Sequence, residues 1–144
     1  MKEVSIALTG DSFITQRLPR DSKFAALQNF LGAHDVRFTN FEILLHDFEV
    51  YPAPVSGTWA VARPAVLQDL KDLSFNMFTW ANNHTIDWNL GGILTTMKHL
   101  DDNKCLHAGV GRNLEEAAQP KYLDTPNARV AIIGVTSTMN EWGM

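Results

Sequence analysis

A chain of 144 residues is long enough for one domain with a real core. Its 45% hydrophobic and 19% charged residues mark a folded rather than a disordered protein. A net charge of −4 argues against nucleic acid or an anionic membrane as the main partner, since both usually call for a basic face.

The sequence runs from Met1 straight into a short apolar stretch, residues 4–9, that reads as a buried strand ending at Gly10-Asp11. No basic segment followed by an apolar one precedes it, so the expected location is the cytoplasm. Asp21-Ser22 is a helix start for Phe24, Leu27, Phe30 and Leu31, with Gly32 as the stop. Residues 35–39 form a second strand, closing on Asn40-Phe41-Glu42. Residues 46–62 hold Pro52, Pro54 and Gly57 among aromatics without a period, and read as one long loop. Pro64 opens a helix with Val66, Leu67, Leu70 and Leu73 on one side. Residues 75–80 are a third strand, 90–100 a helix and 104–108 a strand. Gly109-Val110-Gly111 makes a turn, and residues 113–118 a short helix before Pro120. Residues 129–135 are the last buried strand. The repeated β-α-β-α-β-α-β order predicts an α/β domain with a mainly parallel sheet. No apolar run approaches the roughly 20 residues that span a bilayer. Cys105 is the only cysteine, which rules out an internal disulfide and favours a small buried side chain.

Three strands end in polar residues: Gly10-Asp11, Asn40-Phe41-Glu42 and Asn82-Asn83-His84. Ligands of open α/β sheets bind outside the carboxyl ends of strands. Parallel neighbours would bring Asp11, Glu42 and Asn83 to one patch. Two carboxylates and an amide suit Mg²⁺, Mn²⁺, Fe²⁺ or Zn²⁺. An adjacent imidazole can be a ligand or a proton donor to a leaving group. Each residue also has a plain reading. Asp11 can be a turn former, Glu42 a solvated carboxylate, Asn82-Asn83 a left-handed turn and His84 a structural histidine. Their joint placement after apolar strands favours a site. His46-Asp47 can support it from behind or belong to a polar loop. Tyr51 and Trp59 can line a groove or anchor the loop. His99 and His107 read as structural.

Taken together, Gly10-Asp11, Thr39-Asn40-Phe41-Glu42, Ala81-Asn82-Asn83-His84-Thr85-Ile86-Asp87 and the stretch from His107 to Ala117 resemble the CapA-like family linked to poly-γ-glutamate capsule synthesis. The resemblance covers nearly the whole chain, and Ala-Asn-Asn-His-x-x-Asp is its most specific part. That family looks like a branch of the calcineurin-like metallophosphoesterases, with an α/β/β/α sandwich around two metals. The resemblance implies metal ligands at Asp11, Asn40, Glu42 and Asn83, with Glu42 near the bridging position. It implies a leaving-group histidine at His84, oriented by Asp87. It implies a hydrolase using metal-activated water on a phosphoester or a polyglutamate-related amide, an anionic polymer or phosphoester as partner, and association with the cell envelope. The sequence departs from the pattern at Phe13, where Asp-x-His would carry an imidazole, and it holds no equivalent of the later histidine motifs. The expectation is therefore one partial domain over residues 1–144, the N-terminal half of the sandwich, with an incomplete metal site. The unpaired surface of that half would favour self-association. The rival readings are a non-catalytic binding or assembly component of a capsule-polymer system, and an inactive fragment.

Overall fold

A computed structural model describes residues 3–54 and 57–137. The chain ends, including Met1 and Met144, and residues 55–56 of the expected long loop lie outside the described residues.

Four strands make the main sheet: β1 (Ile6–Asp11), β2 (Val36–Asn40), β5 (Met77–Thr79) and β6 (His107–Ala108). They lie in the order β1-β2-β5-β6, all parallel. Crossovers supply the helices α1 (Ser22–Gly32), α2 (Val66–Asp72) and α3 (Asn89–Asp102). This is the α/β arrangement with a mainly parallel sheet predicted from the order of elements, consistent with a metallophosphoesterase-like fold. Asp11 and Asn40 end β1 and β2 as register partners, so the carboxyl ends of neighbouring strands meet.

Local chemistry sets the helix ends. Asp21 caps α1 by accepting from the backbone N–H groups of Lys23 and Phe24. The apolar residues expected to bury α1 divide: Leu31 is fully buried, while Leu27 and Phe30 stay exposed. On α2, Val66, Leu67 and Leu70 are buried together with Leu73 just beyond it. Thr96 of α3 accepts the backbone N–H of Leu45 at 2.7 Å, tying the helix to the chain after β2.

Two features differ from the sequence expectation. The stretch 46–62 is not loop throughout: β4 (Val61–Ala62) pairs in parallel with β3 (Leu44–Leu45). Two-residue strands leave too short an apolar run to stand out. The last strand, β8 (Arg129–Ile132), does not join the parallel sheet. It forms an antiparallel hairpin with β7 (Lys121–Asp124) after α4 (Leu114–Ala117), closed where Thr125 and Ala128 bond.

The larger core gathers Phe41, Leu44, Leu67, Leu70, Phe78 and Trp80 around β3, α2 and β5. A second cluster joins Val36, Met77 and Ala108 of the sheet to Ile132 of the hairpin. At Gly109 the backbone takes φ +102° and the chain passes so close to Gly134 that an added Cβ there would lie 2.9 Å from the Gly109 Cα. The edge strand β1 leaves Ile6 and Leu8 exposed, Leu8 by 73%. No helix of the described residues is long and apolar enough to cross a membrane.

Candidate functional site

The ends of β1, β2 and β5 converge as the parallel order requires. Asn40 donates its amide N–H to Asp11 Oδ1 at 2.8 Å. Its amide oxygen accepts from Asn82 at 3.2 Å, and Asn82 also donates to the Phe41 carbonyl at 3.0 Å. A chain of amides therefore runs across three strand ends and orients the Asp11 carboxylate.

Glu42 lies against Asp11. Burial, then contact with the Asp11 carboxylate and its charge, hold the Glu42 carboxyl above the usual carboxylate range, with His84 pulling the other way. His84 Nε2 is 3.9 Å from Glu42 Oε1. On its other side, His84 Nδ1–H donates to Asp87 Oδ2 at 2.7 Å. Asp87 is buried, and the same oxygen accepts the Ala60 backbone N–H at 2.7 Å. The imidazole is thus fixed with Nε2 turned toward Glu42. Phe13 meets that imidazole edge-on, with ring centroids 5.3 Å apart.

The turn carrying His84 is built by its own side chains. Thr85 Oγ1 donates to the Trp80 carbonyl and accepts from the Asn82 N–H. Asn82 Oδ1 accepts from the His84 N–H at 3.1 Å. These local bonds replace strand pairing and bend the chain out of β5.

The structure brings Asp11, Asn40, Glu42, His84 and Asp87 into one patch. Asn83 is exposed and its side chain stands outside these hydrogen bonds, while Asn82 is bonded into them. The sequence reading gave Asn82 only a turn role and assigned the site role to Asn83; the place of Asn82 directly after a strand was the available signal. It also missed Asp69, which holds the segment after Asp11. The side chains of Arg17 and Arg20 and the Leu18 N–H all donate to this fully buried carboxylate, at 2.7–2.9 Å. Its position among Val66, Leu70 and Leu73 on α2, with two arginines upstream, was the clue.

Other expectations resolve in detail. His46 is buried against Trp88 and does not reach Glu42 or His84; its Nδ1 accepts the Phe48 N–H. Trp59 anchors its loop by donating to the Ala53 carbonyl, whereas Tyr51 is exposed. Cys105 is half-buried, and burial pushes its thiol up, away from reactivity.

Among the described residues no group of three His, Cys, Asp or Glu side chains is placed to hold a metal ion. What the patch offers is two carboxylates in contact, with no Lys or Arg ion pair among the described residues to neutralise them. Such a pair fits a hard divalent cation through Asp11 and Glu42, with further ligands still to be supplied.

Known proteins place the chain in a family. Two proteins of Sinorhizobium fredii (strain NBRC 101917 / NGR234), named as the uncharacterized proteins y4sH and y4uA, are each 31% identical over 140 residues, 93% of this chain and 30% of theirs. The capsule biosynthesis protein CapA of Bacillus anthracis is 26% identical over 125 residues, 85% of this chain and 30% of its own. The chain thus spans about 30% of the length of the curated relatives it matches. The family described as bacterial capsule synthesis protein PGA_cap matches residues 5–144, and the chain belongs to it.

Proposed function

We propose that this chain carries part of the active site of a metal-dependent hydrolase serving capsule-polymer synthesis, acting on a phosphoester or a polyglutamate-type amide. The observation that carries the reading is the meeting, at three strand ends, of the Asp11–Glu42 carboxylate pair with the His84–Asp87 pair. Asp11 and Glu42 would hold a divalent cation, Mn²⁺, Mg²⁺, Fe²⁺ or Zn²⁺. Asn83 is kept as a further ligand on the strength of the family resemblance, at the rim. A bound cation supplies Lewis acidity, polarising the scissile group and lowering the pKa of water.

The chain's own residues do the rest. Asn40, itself held by Asn82, aims Asp11. Asp87 fixes the tautomer of His84, so proton exchange with substrate takes place at Nε2, beside Glu42. His84 then protonates the departing oxygen or nitrogen. Phe13 covers one edge of the imidazole and limits its contact with bulk water.

The test is hydrolysis of a panel of phosphodiesters and γ-glutamyl amides with and without Mn²⁺. Metal-dependent turnover that is lost in the Asp11→Ala, His84→Ala double variant supports the reading. Turnover equal in that variant sinks it. A second reading, a non-catalytic binding component of a capsule-polymer assembly, is favoured by Phe13 at the place where the resemblance would put an imidazole and by the lack of a third ligand among the described residues. Polymer binding without turnover or Mn²⁺ binding would select it. The exposed Ile6 and Leu8 on the β1 edge are the surface through which self-association would run, and sedimentation at several concentrations reads it directly.

A further inference from the structure

An open groove of about 360 Å³ is walled by two segments, Thr15, Gln16 and Arg17 after β1, and Val61 to Arg63 in and just after β4, with the apolar Phe48 also in its lining.

Two connections tie the groove to the reacting patch. The first wall belongs to the same segment as Asp11 and Phe13, and Asp69 clamps it through Arg17 and the Leu18 N–H. The second wall continues β4. The Ala60 N–H is held by Asp87, the partner of His84, and three residues further on is Arg63. An extended strand covers that separation in about 10 Å.

The charges are unequal. The arginine ion pairs among the described residues belong to Arg17, Arg20, Arg112 and Arg129. Arg63 is exposed and stands outside them. Asp69 offsets Arg17, so among the described residues Arg63 is the arginine of the groove without an ion pair, in a chain whose net charge is −4. The Thr15 and Gln16 side chains make no hydrogen bond among the described residues and are available to a ligand. A guanidinium lining the same groove as Thr15, Gln16 and the apolar Phe48 and Val61 matches a carboxylate or phosphate on a short apolar stem.

We propose that this groove is an anion subsite, with Arg63 as its specificity residue, which grips a second anionic group of the molecule whose reacting group is presented to His84. The link to His84 rests on the hydrolase reading, but the anion binding itself can be measured without turnover.

The experiment is calorimetric titration of the whole chain in buffer freed of metal over a chelating resin, which removes any contribution from a cation at Asp11 and Glu42 without adding a competing carboxylate. The probes are glutarate and inorganic phosphate. At least one should bind saturably, and the stronger of the two identifies the anion as carboxylate or phosphate. Arg63→Gln should weaken that binding about tenfold, in line with the loss of one charged hydrogen-bonding partner. Lys23→Gln, an exposed charge on α1, should leave it unchanged. Arg63→Lys, which keeps the charge and loses the forked donor geometry, should fall between. It also serves if Arg63→Gln does not fold. No saturable binding of either probe, or equal affinity in Arg63→Gln and Arg63→Lys and the parent, overturns the subsite. Such a result beside intact His84-dependent hydrolysis would discard the subsite alone. Arg63-dependent binding without any hydrolysis would retain the groove and discard the hydrolase.

Discussion

Phe13 and His84 stand edge to face, 5.3 Å between ring centroids and 65° between planes. The aromatic ring, two residues after Asp11, therefore stands beside the imidazole of the candidate site. If the patch holds a cation as proposed, Phe13→His should add a nitrogen donor near His84 and Glu42 and tighten Mn²⁺ or Zn²⁺ binding about tenfold. Titration of parent and variant with either metal reads the difference. Unchanged affinity would show that this side of the patch does not face the cation.

Glu42 carries a fold-level cost. Its carboxyl is held above the usual range by burial and by Asp11, so the folded state keeps its proton where the unfolded chain, near 4.5, gives it up. Stability from this group is full below that value and is lost as pH rises through the higher folded pKa. Glu42→Gln should therefore raise the melting temperature at neutral pH in EDTA, with the gain shrinking as pH falls toward 4. Saturating Mn²⁺ should reverse the order, stabilising the parent more than the variant. Thermal melts over that pH range, with and without metal, check both signs.

Asp69 behaves in the opposite way. Burial alone would raise its pKa, but the Arg17 hydrogen bonds, the Leu18 N–H and the charges of Arg17 and Arg20 outweigh that and lower it. Its contribution is present above the unfolded value of 3.8 and is lost as pH falls through the lower folded pKa. Asp69→Asn keeps the shape but removes charge from three donors, two of them partly exposed arginines. The expected loss at pH 7 is about 1–3 kcal/mol by denaturant titration. That loss should narrow in acid.

A buried histidine gives the fold a second acid sensitivity, in a milder range. His46 is fully buried beside Trp88, with ring centroids 4.3 Å apart, and its Nε2 has no hydrogen-bond partner among the described residues. Burial lowers its pKa against the opposing pull of Glu49 and Asp47. Below the ordinary value of 6.5 the unfolded chain takes up a proton that the folded one refuses, so stability falls as pH drops from there. His46→Phe should flatten the melting temperature between pH 6.5 and 5. A parent protein already flat over that interval would refute the assignment.

Much of this architecture is written locally in the chain. Asp21 and Asn113 cap helices as their side chains predict, and the apolar runs around Ile6, Val36 and Met77 became neighbouring strands. The polar residues ending those runs met because parallel order puts carboxyl ends together. What stayed hidden depends on partners remote in sequence. Val61 and Ala62 are a strand only because Leu44 and Leu45 lie beside them. Residues Lys121–Asp124 alternate only weakly, and pairing with Arg129–Ile132 makes them a strand. Asn82 and Asn83 are chemically identical in sequence, and only the fold distinguishes the one bonded to Asn40 from the one left exposed.

The clamp at Asp69 has a consequence for how the chain reaches its native state. It joins residues 49 to 52 positions apart, whereas the hairpin that follows α4 closes on its own turn. Loop entropy must be spent before so distant a contact gives anything back. The clamp is therefore expected to close late, and loosening Asp69 should speed unfolding more than it slows folding, by releasing the segment that carries Asp11.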